Sequence, residues 1–160
     1  MKYCEFFESV EIPPEPGTVP IPPNTVRRFH VTSLKNCDNI TTHGLTMEYA
    51  RNIDGTKGIY SWNNYPRAVA FSKASSNPGK FLLMGNHAII VEFFDDERNY
   101  NNDEAGRTNC DINPNQIIAI HKLWHTLYYL VKNNQMSIDR LRSGVKSEPQ
   151  VQLALDALEK

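Results

Sequence analysis

Two short segments carry the side chains best suited to chemistry. Phe29–His30–Val31–Thr32–Ser33 sets an imidazole beside two hydroxyls, and Gly58–Ile59–Tyr60–Ser61–Trp62 sets a phenol ring two residues after a glycine. An imidazole at the rim of a sheet can donate to a ribose hydroxyl, while Thr32 and Ser33 can hold a sugar or the local backbone. Gly58 has no Cβ, so a ligand or another backbone can approach it closely. Tyr60 then offers a flat surface for a nicotinamide or a base. Trp62 shares the strand face of Tyr60, because alternate residues of a strand point the same way.

Breaking a glycosidic bond develops positive charge on the sugar, and a nearby carboxylate stabilises it. Glu104, in a polar stretch, and Glu92, inside an apolar run, are the candidate acids. Gln116 is a third candidate that can orient a group but cannot act as a base. Arg27, Arg28, Arg67 and Arg107 are candidates for a pyrophosphate, since a guanidinium matches phosphate oxygens with paired hydrogen bonds. His121 and His125 are four apart and share a face if a helix begins early enough, but the glutamate of a His-Glu-x-x-His site is missing and no metal is expected.

These residues need elements to position them. Residues 26–31 form a strand in this reading, and Ser33 caps a helix over 34–42 that Gly44 ends. Asp54–Gly55 marks a turn, and 59–62 is the second strand. Asn63 or Asn64 caps a helix that has Pro66 in its first turn and Ala68, Val69 and Phe71 on its apolar stripe. Residues 75–80 read as a loop, 81–84 as a short helix or strand, and 88–94 as an interior strand, apolar but for Glu92. A long polar loop or hairpin covers 95–109. Residues 116–120 form another strand, and helical spacing begins at Leu123, with further short helices near 137–143 and 149–159. His87 belongs to a turn.

A chain of 160 residues suits one domain with a full core. Seventeen basic and eighteen acidic side chains leave a formal charge of −1, so no strong field selects nucleic acid or excludes it. Residues 11–23 hold six of the ten prolines, which predicts an extended arm. The division is therefore an arm over 1–25 and one domain over 26–160. Cys4, Cys37 and Cys110 lie far apart and suggest neither a disulfide framework nor a Cys-x-x-Cys metal unit. That pattern fits a reducing, cytoplasmic setting. No run approaches the roughly 18 apolar residues of a membrane span, and no apolar leader follows Met1.

In order along the chain, the motifs resemble the ADP-ribosyltransferase superfamily, and its small bacterial and phage toxin-like members in particular. Phe29-His30-Val31-Thr32-Ser33-Leu34 with Ile40-x-x-His43-Gly44-Leu45 resembles the opening motif. Gly58-Ile59-Tyr60 with Arg67-Ala68-x-x-Phe71 resembles the second motif and its helix. Ile112-Asn113-Pro114-Asn115-Gln116-Ile117 resembles the isoleucine–proline segment near the end of such domains. The resemblance spans roughly residues 26–122. It implies an α+β fold of split, antiparallel-rich sheets with flanking helices and a C-terminal helical segment. It also implies NAD as substrate and transfer of ADP-ribose to a nucleic acid base or a protein side chain. His30 would meet the ribose, Tyr60 the nicotinamide and Glu104 the developing charge, with Thr32, Ser33, Gly58 and Arg67 completing the NAD site. The competing expectation is a non-catalytic nucleotide- or protein-binding module on the same scaffold, with the arm or the C-terminal helices meeting a partner. A weaker one is phosphate transfer from RNA, for which Arg27, His30, His43 and Arg67 are spaced poorly.

Overall fold

The computed structural model describes residues 13–49, 57–74 and 88–122, together with His125 and Asn133. Five strands form one antiparallel sheet: β1 (Thr25–Ser33), β2 (Ile59–Trp62), β3 (Ala88–Asp96), β4 (Ala105–Thr108) and β5 (Ile117–Lys122), in the order β4-β2-β1-β3-β5. Among the described residues two short α-helices accompany them, α1 (Cys37–His43) and α2 (Tyr65–Ala74). The chain is thus a small α+β domain, and the described residues make a single sheet.

The long central pair sets the register. β1 and β3 pair without a break from Thr25 opposite Asp96 to Ser33 opposite Ala88. Side chains alternate between faces along such a ladder. One face carries the larger core, where Val91, Phe93, Ile89, Ile59 and Ile120 pack against Cys37 and Ile40 of α1 and against Leu45 and Ile112. The other face carries Phe29 and Ile90, covered by Ala68 of α2, with Val31, Trp62, Tyr65 and Val69 around them.

The turns follow local chemistry. Gly44 ends α1 as expected, at φ +77°, and its amide donates to Ile40 O at 2.7 Å. Leu45 and Ile112 then exchange two backbone hydrogen bonds, of 2.9 and 2.8 Å, which tie the end of α1 to the start of the last strand segment. Asn64 caps α2: its Oδ1 accepts from the Arg67 amide at 3.0 Å.

Several expectations need correction. Ser33 begins a 3-10 turn over Leu34–Asn36 without a side-chain cap, and the α-helix proper starts at Cys37. Residues 95–109 are not one loop: β3 runs on to Asp96, a 3-10 turn covers Glu97–Asn99, and β4 pairs with β2. β1 starts at Thr25, the last residue assigned to the arm. His121 lies in β5, so it shares no helix face with His125. Cys37 is disulfide-bonded and Cys110 is free and exposed. One disulfide is not a framework, but it removes the ground on which a reducing setting was expected. The expected elements at 75–84, the helices beyond Leu123, the turn at Asp54–Gly55, Cys4 and His87 lie outside the described residues. Among those that are described, no helix is long and apolar enough to cross a membrane.

Candidate functional site

His30 sits in the middle strand, half-buried, and its Nδ1 lies 2.6 Å from the backbone carbonyl of Tyr60. A carbonyl only accepts, so Nδ1 carries a proton. Burial lowers the pKa of His30, partly opposed by this same hydrogen bond. The ring is therefore neutral at pH 7, with the proton on Nδ1 and a lone pair on Nε2. That reverses the expected role: Nε2 can accept from a hydroxyl but has no proton to give. On the same strand face, Thr32 Oγ1 accepts from Asn36 Nδ2 at 2.9 Å.

Tyr60 lies on the other face. Phe29 pairs opposite Trp62 across β1 and β2. Alternation then sets Tyr60 with Trp62 and Phe29, and His30 with Ser61. The two motif strands are neighbours, but the imidazole touches the backbone of Tyr60 and not its ring. Ser33 likewise falls on the face opposite His30 and Thr32. Gly58 has φ +139°, and a Cβ there would come within 2.2 Å of Arg107 Cγ. The close approach that Gly58 permits is made by the Arg107 side chain, whose residue pairs with Tyr60 across β2 and β4.

Glu104 is exposed and immediately precedes β4. Its carbonyl accepts from the Asn63 amide at 2.8 Å, which extends the ladder between β2 and β4. Its carboxylate forms an ion pair with Arg67 Nε and accepts from Asn64 Nδ2 at 3.3 Å. The first turn of α2 thus holds Glu104. No hydrogen bond or ion pair among the described residues joins Glu104 or Arg67 to His30 or Tyr60.

The segment before Glu104 is fastened by Arg28, which is 2% exposed. Its Nε donates to Ser61 Oγ at 2.9 Å, Nη2 to Ser61 O at 2.7 Å and Nη1 to Asp103 O at 3.2 Å. The guanidinium also lies 4.3 Å from the Tyr100 ring centroid. Tyr100 donates to Asp95 Oδ2 at 2.9 Å, and Asn99 Nδ2 contacts the same carboxylate. Burial pushes the Tyr100 phenol well above its ordinary value, helped by the Asp95 carboxylate. Of the four arginines considered for a pyrophosphate, Arg28 is therefore enclosed and Arg27 is engaged with Glu92. Arg67 and Arg107 are exposed.

Glu92, the other candidate acid, is fully buried. It meets Arg27 Nε at 3.0 Å and His121 Nε2 at 2.8 Å. Gln116 serves the backbone: its Nε2 donates to Phe94 O at 3.0 Å and its Oε1 accepts from the Asn113 amide. Sequence reasoning missed the joint role of Arg28, Asp95 and Tyr100. The signal was an arginine at an alternating position of a strand, which is a core position only once the register is known. Among the described residues, no group of three or more His, Cys, Asp or Glu could hold a metal ion. Comparison with family models, with curated proteins and with solved structures finds no match to this chain.

Proposed function

We propose that this domain binds NAD and transfers ADP-ribose from it to a macromolecular acceptor, in the manner of the ADP-ribosyltransferases that its motifs resemble. The observation that carries the reading is His30. A neutral imidazole with Nδ1 tied to the Tyr60 carbonyl presents Nε2 as a fixed acceptor, the group a ribose hydroxyl needs. Thr32, on the same face, would line the approach, whereas Tyr60 and Ser33 face the other side of the sheet and Gly58 is covered by Arg107. Arg67 would take the pyrophosphate and Glu104 would stabilise the oxocarbenium-like sugar.

The Arg67–Glu104 pair fits a substrate-dependent arrangement. Both partners are exposed, with side-chain accessibilities of 64% and 45%. Exposed ion pairs contribute about 0–1 kcal/mol, so a diphosphate competes readily for the guanidinium. Asn64 would keep its hold on Glu104 while Arg67 turns to phosphate. The acceptor class is a nucleic acid base or a protein side chain.

The resting ion pair supports a second reading, a nucleotide-binding module without transfer. Purified protein incubated with NAD and candidate acceptors separates the two. Transfer predicts nicotinamide release and labelled acceptor, with Glu104→Gln slowing turnover by about 10²-fold or more. NAD and ADP-ribose binding in calorimetry, with release no faster than in Glu104→Gln, would establish the module instead. Absence of both binding and turnover would end the nucleotide reading.

A further inference from the structure

Glu92 is a carboxylate that the nucleotide reading does not use. It is completely enclosed in an interior strand, yet it meets polar groups from three separate segments, two by hydrogen bond and one by ion pair. Arg27 Nε comes from β1 at 3.0 Å, His121 Nε2 from β5 at 2.8 Å, and the backbone amide of Gly17 from the proline-rich arm at 2.9 Å. Arg27 Nη1 in turn donates to the Gly17 carbonyl at 2.8 Å. The cluster therefore grips one residue of the arm by both of its backbone polar groups. It touches no side chain there, and a Cβ added at Gly17 would meet nothing closer than Arg27 Nη1 at 3.9 Å.

The cluster lies on the sheet face covered by α2. Ring contact of His121 with Tyr65, at 5.5 Å between centroids, places it beside that helix. Apart from the buried Pro13 and the half-buried Pro16 and Val19, the arm offers little apolar surface to the domain. Most of residues 14–24 are exposed, including Ile21 at 51%. A polar contact also holds the arm: Asn133 Nδ2 donates to Glu15 Oε1 at 2.9 Å. Capacity is left over in the seat: His121 Nδ1 and both Nε and Nη2 of Arg27 are buried without a hydrogen-bond partner.

A buried charged cluster is a poor device for mere cohesion, since apolar side chains of similar volume hold a sheet as well or better. It is a good device for a releasable contact. Uncovering an apolar core is opposed by water, whereas uncovering charges returns their hydration. What this cluster recognises is the backbone N–H and C=O of a single glycine, presented at φ +81° in a turn that Thr18 closes on the Glu15 carbonyl. We infer that Glu92, Arg27 and His121 form a peptide-binding seat, that the arm is its tethered ligand, and that a peptide presenting the same glycine turn occupies the seat when the arm leaves. The inference is independent of the NAD reading.

The tether keeps the arm at high local concentration, so a free peptide competes poorly against the intact chain. Gly17→Val overcomes this. Gly17 has φ +81°, a conformation that a β-branched residue strongly disfavours, so valine unseats the arm and leaves the seat unchanged. The probe is a fluorescein-labelled synthetic peptide of residues 13–24, added to the full-length protein. In Gly17→Val the arm amides should lose protection from hydrogen exchange, and the peptide should bind about ten-fold or more tighter than to wild type. Adding Glu92→Gln should remove that gain. Arg27→Met serves as a second variant if the first proves unfolded by circular dichroism. An arm that stays protected in Gly17→Val would overturn the inference. So would an unseated arm with no gain in peptide affinity, or equal binding by the charge variants.

Discussion

His30 holds its single proton on Nδ1 against the Tyr60 carbonyl, which makes the folded state sensitive to acid. An unfolded imidazole titrates near 6.5, and burial sets the folded value lower. Between those two values the unfolded chain binds the extra proton. Its contribution to stability is therefore complete above about pH 6.5 and is lost as pH falls toward the folded value. Urea midpoints at pH 7.5 and 5 should differ more for wild type than for His30→Gln, whose amide can still donate to the carbonyl but does not titrate. Arg28 presents a second residue-scale case. Arg28→Ala strands Ser61 and Asp103 O and uncouples Tyr100, and should lower unfolding stability by about 3 kcal/mol. Chemical denaturation checks this, and Arg28→Lys should recover little, because a lysine cannot reproduce the planar fork. At this scale the sequence was informative about residue type and much less so about direction. It singled out His30, Tyr60, Glu92 and Glu104. It could not show that His30 and Tyr60 face apart, because facing depends on the register of Phe29 with Trp62.

Elements were legible where alternation and punctuation coincide. β1, β2, β3 and β5 all fall within runs of apolar and β-branched residues bounded by Gly, Asn or Pro, and each was expected within a few residues of its place. β4 was not. Ala105-Gly106-Arg107-Thr108 has little intrinsic strand preference, and it becomes a strand by pairing with β2 and by the Arg28 contacts that bring its lead-in across. The end of α1 was foreseeable at Gly44, but the reason it must be glycine came only with the bridge from Leu45 to Ile112. A Cβ at Gly44 would stand 1.9 Å from Ile112 O. Gly44→Ala should therefore break that bridge and lower stability by about 3 kcal/mol or more, combining backbone strain with a steric clash. Equilibrium urea unfolding measures it, and loss of amide protection at Leu45 and Ile112 would localise the damage.

At the scale of the whole molecule, the disulfide at Cys37 bears on stability independently of any site. Cys37 is fully enclosed in the core that α1 forms with the sheet. Reduction under non-denaturing conditions should lower the thermal midpoint, by an amount corresponding to about 2–4 kcal/mol. Calorimetry with and without reductant tests this, and an unchanged midpoint would show that the bond adds nothing to the folded state. The middle strand is the other global feature. β1 supplies Arg27 to one face, Arg28 and His30 to the other, and pairs with both β2 and β3, each of which comes later in the chain. During synthesis, β1 leaves the ribosome well before either neighbour exists. For that interval it is an unpaired strand with two cations and an aromatic ring and no ladder to join. Non-local pairing of this kind is slow and exposed to aggregation. A growing chain of this protein is thus most vulnerable from the emergence of Ser33 until Asp96 has been made, and a chaperone that recognises basic, apolar segments has its best target there.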